Sequence, residues 1–210
     1  MTSGPLGLPE KVLSLHDALT AAGIDHAFGG ALALAYYTTD PRTTQDIDVN
    51  VSADPDEPQH VLAALPDGIV RSDADRTRIR RDGQVRLWWG ERPGATPVDL
   101  FFPQHELHAA VAAGRQLQPF AGRRLPFLSA THLTIFKSLF ARPKDWLDVE
   151  AMLRAGTVDV GEVRRWLELL VGPDDDRHLA PFLAVAALAH TPEPAPPPFR
   201  QLLRRTQDSS

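Results

Sequence analysis

Cysteine is missing from all 210 residues. Its absence excludes disulfides, thiolate zinc sites and a cysteine nucleophile, and leaves oxygen and imidazole as the ligands for any metal. That donor set suits hard cations such as magnesium. Long apolar runs are missing too, and the opening residues, MTSGPLGLPEKV, lack a basic segment followed by an apolar one. A soluble, cytoplasmic protein with no membrane partner is the expectation. An excess of positive charge is also absent: the net charge is −5, which argues against coating nucleic acid by bulk charge and leaves only a local groove. Arg71, Arg76, Arg78, Arg80, Arg81 and Arg86 form the densest basic cluster, and Arg123 with Arg124 a smaller one. Each reads equally well as a solvated strand face or hairpin. Two motifs are absent as well. His105 and His108 form HELH rather than HExxH, and no GxSxG elbow occurs, which speaks against a zinc peptidase and a serine hydrolase.

What is present is the composition of a folded protein. Hydrophobic residues make up 43% and charged residues 23%, which excludes global disorder, and the length allows one substantial core or a core with a smaller appendage. From Glu10, Val12, Leu15, Leu19 and Ala22 share a helical face that Gly23 ends. IDHAF reads as a strand, Gly29-Gly30 as a tight turn, and ALALAYY as a helix reaching Thr38. Asp40, Pro41 and Arg42 break it before the strand IDVNVS. A short helix, QHVLAAL, precedes a turn at Gly68 and a meander through TRIRRDGQVRLWWG, with Asp82-Gly83 as a hairpin signal. TPVDLFF is a strand, QHELHAAVAAG a helix, and RQLQPFAGRRLPFL a hairpin turning near Gly122. After Ser129, an expected N-cap, the pattern turns helical: THLTIFKSLFA, KDWLDVEAMLRAG, GEVRRWLELLVG and PFLAVAALAH. The fold class is therefore α/β (α+β), a mixed central sheet with a helical C-terminal half. The expected division is 1–128, 129–190 and a Pro-rich tail, 191–210, whose TPEPAPPP cannot join a helix.

Chemistry concentrates in DIDVNV. The strand period places Asp46, Asp48 and Asn50 on one face and Ile47, Val49 and Val51 on the other. Two carboxylates side by side repel unless a cation lies between them. A divalent ion meets that need, although a surface strand can also carry such a pair. Asp99, on the strand TPVDLFF, would complete a two-metal site in which ions ~3.5 to 4 Å apart align an attacking and a leaving oxygen. Gly29 and Gly30 add a turn where backbone amides approach a phosphate at a helix start. A GG turn alone, or a DxD alone, is commonplace. The two in order, with a later strand aspartate, form a much more specific pattern.

FGGALALAYY followed by TTQDIDVNV resembles the signature of the nucleotidyltransferase fold shared with polymerase beta. More narrowly, RTTQDIDV together with THLTIFKSLFARPKDWLDVEAML resembles the AbiEii-like nucleotidyltransferase toxins of toxin–antitoxin systems, over roughly residues 10 to 155. The resemblance implies transfer of a nucleoside monophosphate from a nucleoside triphosphate (ATP, CTP, GTP or UTP) to a hydroxyl, often the 3′ end of a tRNA, with Mg2+ or Mn2+ as cofactor. It implies that Asp46 and Asp48 hold two metals and that Asp99 binds the second and helps activate the acceptor. Gly29 and Gly30 would hold the triphosphate, while Arg42 and Thr44 contact phosphate or buttress the loop. Lys137 would neutralise phosphate charge, with Asp148 orienting it or touching the nucleotide.

Plainer readings stand beside these. Lys137 lies near Leu133 and Phe140 at helical spacing and reads equally as a lysine that snorkels. Lys144, Asp145 and Asp148 are also acceptable first-turn charges, and Trp146 reads as a core anchor. The acceptor alternatives are an aminoglycoside or a protein hydroxyl, and a non-catalytic nucleotide-binding module stays open. Thr44, two residues before Asp46, is a candidate for phosphorylation by a kinase-like antitoxin, since about two added negative charges there would oppose nucleotide binding.

Overall fold

A computed structural model of the chain describes residues 6–91 and 93–189. The expected Pro-rich tail, 191–210, lies outside the described residues. The chain opens with helix α1 (Leu8–Ala21), begun by Pro9 in its first turn, with Val12, Leu15 and Leu19 buried on one face. Strand β1 (His26–Phe28) runs into α2 (Gly30–Leu34), and β2 (Ile47–Val51) follows. Next come α3 (Gln59–Ala64), a two-residue edge strand β3 (Ile69–Val70), α4 (Asp73–Asp82), β4 (Gln84–Trp89) and β5 (Thr96–Phe101). Helix α5 (Leu107–Ala113) leads to the hairpin β6 (Gln116–Phe120) and β7 (Arg123–Phe127). Four helices close the described chain: α6 (Ala130–Phe140), α7 (Pro143–Arg154), α8 (Val160–Val171) and α9 (Leu179–Ala189).

Among the described residues the strands form one mixed sheet in the order β3-β4-β5-β2-β1-β7-β6. β2 and β5 are parallel neighbours at its centre, with Asp48 opposite Asp99 and Asn50 opposite Phe101. Antiparallel β4 pairs Arg86 with Asp99 on the other side. One apolar core runs from Ile47, Val49, Val98 and Leu100 in the sheet through Leu133 and Ile135 of α6 to Val149 and Trp166. Fully burying such a side chain is worth about 1.5–3 kcal/mol, so this shared core fixes α6 over the sheet. Among the described residues no helix is long and apolar enough to cross a membrane.

Three expected elements differ. The supposed meander with a hairpin at Asp82-Gly83 is instead α4 followed directly by β4. Ser72 caps α4, its backbone N–H and hydroxyl both donating to Asp75 at 2.8 Å. Gly83, at φ 62°, ends it by donating its N–H to Ile79 O. A left-handed glycine serves a helix C-cap as well as a hairpin, and the cap won because Ser72 and Asp75 nucleate the first turn. Helix α2 stops at Leu34 rather than Thr38. Tyr36 and Tyr37 tighten the chain with N–H bonds to Ala33 O and Leu34 O, and their hydroxyls donate to Pro119 O and Leu128 O. Helix α5 is likewise shorter than QHELHAAVAAG, as residues 104–106 stay outside it.

Candidate active site

The strand period and the parallel register of β2 and β5 together bring the carboxylates to one place. Asp46, Asp48 and Asp99 stand on one sheet face, while their neighbours Ile47, Val49, Val98 and Leu100 are buried on the other. They line a cleft of about 390 Å³ between the sheet, α4 and the α6–α7 corner. Burial, followed by the charges of Asp99 and Asp46, pushes the half-buried Asp48 carboxyl up to about 6. Arg86 answers part of that charge. Its guanidinium grips Asp99 in a two-pronged pair at 2.6 and 2.8 Å and reaches Asp46 at 3.8 Å, and these bonds hold its own proton more firmly than usual.

The glycine pair packs against Asp48 at close range. Gly29 donates its N–H to Asp48 O at 2.8 Å. Gly30 has φ +54°, and any Cβ there would collide with the Asp48 carboxylate, so only glycine admits that carboxylate at the head of α2. The expectation that both glycines hold a phosphate is thereby narrowed: the Gly29 amide already serves the sheet, and a five-residue helix contributes little terminal field. Thr44 accepts the Asp46 N–H at 3.1 Å, so it braces the carboxylate loop.

Across the cleft, the last turns of α6 and the first of α7 carry a charged cluster. Lys137, only 5% exposed, meets Asp148 at 2.5 Å and Asp145 at 3.4 Å. Asp148 also takes a two-pronged bond from Arg42, at 3.1 and 3.2 Å. Burial alone would raise the Asp148 carboxyl, yet the bonds from Arg42 and Lys137 keep it below the usual range. Asp145 is fully buried and is gripped by Arg142 at 2.6 and 3.1 Å. It is therefore more than a first-turn charge: it is the second anchor of Lys137. The lysine is no ordinary surface snorkeller, because its ammonium is fixed between two aspartates.

Of the residues picked from the sequence, the cleft gathers Gly30, Arg42, Thr44, Asp46, Asp48, Asp99 and Lys137 along its wall, while Gly29 and Asp148 support from behind. Arg86 was named only within the basic cluster and Asp145 only as a first-turn charge, while Arg142 and the rings of Phe101, Phe136 and Phe140 were not picked out as site residues. Asp145 lies three residues before Asp148, hence on the same helix face, which was a usable signal. Nothing local marks Arg86, since its pairing depends on β4 lying beside β5. Asp46, Asp48 and Asp99 have the hard oxygen donors that a divalent cation takes. As they stand, no three ligating side chains among the described residues are gathered tightly enough to enclose an ion, and Arg86 occupies two of the three. Six cationic and five acidic side chains line the cleft, so its wall is close to charge balance although the protein as a whole is acidic.

No protein-family model and no curated protein matches the chain. Solved structures do. An antigenic nucleotidyltransferase-like protein from Paracoccidioides brasiliensis superposes with a TM-score of 0.51 at 19% identity, over 87% of this chain and 88% of that one. JHP933 from Helicobacter pylori (TM-score 0.44, 12% identity, 96% and 94% covered) and the antibiotic-resistance factor ANT(2'')-Ia (0.45, 12%, 96% and 95%) are more distant. With its mixed sheet and the first of these likenesses, the chain has the nucleotidyltransferase-like fold.

Proposed function

We propose that this chain is a metal-dependent nucleotidyltransferase toxin that moves a nucleoside monophosphate from a nucleoside triphosphate onto an RNA hydroxyl, the 3′ end of tRNA, and so blocks translation. The observation that carries the transfer reading is the register that sets Asp48 opposite Asp99, with Asp46 alongside and Lys137 in the same cleft. Asp46, Asp48 and Asp99 would hold two divalent cations, Mg2+ or Mn2+, which when bound supply the positive charge that aligns attacking and leaving oxygens. The chain's own groups do the rest. The acceptor oxygen bonds to the α-phosphorus as the bond to the bridging oxygen breaks; its proton passes to a carboxylate oxygen of Asp99, and pyrophosphate leaves. For that, Arg86 must release Asp99. Lys137, held by Asp145 and Asp148, faces the triphosphate as a fixed cation and needs little reorganisation.

The RNA acceptor is supported by the exposed Arg76, Arg78, Arg80 and Arg81 on α4, of which Arg78 lines the cleft. The toxin reading is supported by the RTTQDIDV and ARPKDWLDV segments. The test offers each α-labelled nucleoside triphosphate, with magnesium, to the protein alone, to total tRNA and to an aminoglycoside. Label at tRNA 3′ ends is expected. Label on the aminoglycoside or on the protein would replace the acceptor, and no label anywhere would favour a non-catalytic nucleotide-binding module. Control by a kinase-like antitoxin fits Thr44, because its side chain lies against the Asp46 backbone and phosphorylation would set about two negative charges beside the carboxylates. Thr44→Glu should silence transfer, and full activity in that variant would count against this control.

A further inference from the structure

The wall of the cleft that carries Lys137 is not wholly polar. Along α6, Leu133, Phe136 and Phe140 follow one another at three- and four-residue spacing and all line the cleft. Phe101, two residues beyond Asp99 on the same face of β5, meets them. The rings of Phe101 and Phe140 lie 5.9 Å apart at 53°. Phe140 remains 40% exposed although it ends a helix that is otherwise largely buried. The Arg142 guanidinium stands 5.0 Å from the centre of its ring. A single exposed aromatic means little. Here the ring belongs to a concave surface, braced by a second ring and by an arginine that is itself clamped on buried Asp145.

We infer that Phe140, backed by Phe101 and flanked by Arg142, is the stacking shelf for the base of the nucleoside triphosphate. The inference rests on the proposed nucleotidyl transfer and deepens it. A nucleotide is charged at one end and a flat π-face at the other, and the cleft is divided in the same way. Lys137 and Phe140 are one helical turn apart on α6, ~5 Å of rise, well within the length of a nucleoside triphosphate. The cation for the phosphates and the ring for the base are therefore set by one rigid element. Arg142 ties the two halves together, because it pairs with the aspartate that anchors Lys137 and lies against the ring that takes the base. A shelf made of rings reads the face of a base rather than its edge, so all four bases are accepted, with purines favoured by their larger area.

The test measures binding of ATP, GTP, CTP, UTP and inorganic tripolyphosphate to the full chain with magnesium and no acceptor. Phe140→Ala is expected to weaken the four nucleotides about tenfold or more, purines most, and to leave tripolyphosphate unchanged; base stacking on an aromatic is worth about 1–3 kcal/mol. Phe140→Trp should restore the affinity. In turnover, Phe140→Ala should raise KM with kcat little altered. Nucleotide affinity unmoved by Phe140→Ala, with tripolyphosphate still bound, would overturn the shelf alone. A wild-type chain that binds neither nucleotides nor tripolyphosphate would overturn the transfer reading and the shelf with it.

Discussion

Because Asp48 sits half-buried between Asp46 and Asp99, the folded protein keeps its proton up to about pH 6, whereas the unfolded chain releases it near the ordinary aspartate value. Between those values the folded state binds more protons, so this contribution to stability is full at acid pH and is lost as pH rises through about 6. Asp48→Asn is therefore expected to raise metal-free stability at pH 8 by up to about 3 kcal/mol, to change it little at pH 3, and to abolish transfer. Chemical denaturation with chelator at both pH values checks the sign. Asp145 makes the opposite case. Removing one member of a buried ion cluster strands the others, so Asp145→Asn should cost about 3–5 kcal/mol, whereas Glu150→Gln, which breaks an exposed pair with Arg154, should cost under about 1 kcal/mol. Urea midpoints of the two variants separate these cases. Asp46, Asp48 and Asp99 were legible in the sequence because alternation alone puts them on a strand face. The pairing of Lys137 with two aspartates was only half legible, since spacing cannot tell a first-turn carboxylate in water from one that α6 has covered.

At the scale of the element, the turn from β1 into α2 decides whether Asp48 has room. Alanine at position 30 would meet both a positive φ, which costs an L-residue about 1–2 kcal/mol, and the Asp48 carboxylate itself. At position 29 a Cβ would meet Leu128 and Asn50 at 3.1 and 3.3 Å, contacts that a small shift relieves. Gly30→Ala should therefore lower transfer at least tenfold more than Gly29→Ala, with thermal melts and single-turnover rates as the readout; equal loss in the two would remove the argument. Elements with one dominant pattern were readable from sequence: α1, β2, β5, the β6–β7 hairpin, and α6 with its Ser129 cap, which accepts the His132 N–H. Helix α4 was not, because DADRTRIRRD has almost no apolar stripe. Ile79 is its one buried apolar residue, and its capping box did what hydrophobic periodicity normally signals.

For the molecule as a whole, acid acts in part through its buried and half-buried histidines. Burial, aided by His105, lowers His108 to about 4, and burial also lowers His26 and His132. A histidine whose folded pKa is depressed contributes stability that is present above the unfolded value, about 6.5, and is lost as pH falls through the folded one. The histidine contribution to stability should thus decline between pH 6.5 and 4, against the opposite trend from Asp48. His108→Gln should shift the slope of stability with pH in that window toward greater stability at acid pH, as followed by thermal melts across the range; an unchanged slope would exclude His108 as a contributor. The strand order itself was not readable, because non-local pairing leaves no mark in local periodicity. That same pairing has a consequence for folding fidelity. A slip of β5 against β2 by one residue would carry Asp99 and Phe101 into the apolar side and push Val98 and Leu100 into the cleft. Burying an unpaired carboxylate is so unfavourable that Asp99 rejects the misregistered sheet. The residues least suited to stabilising the strands are thus the ones that proofread their alignment.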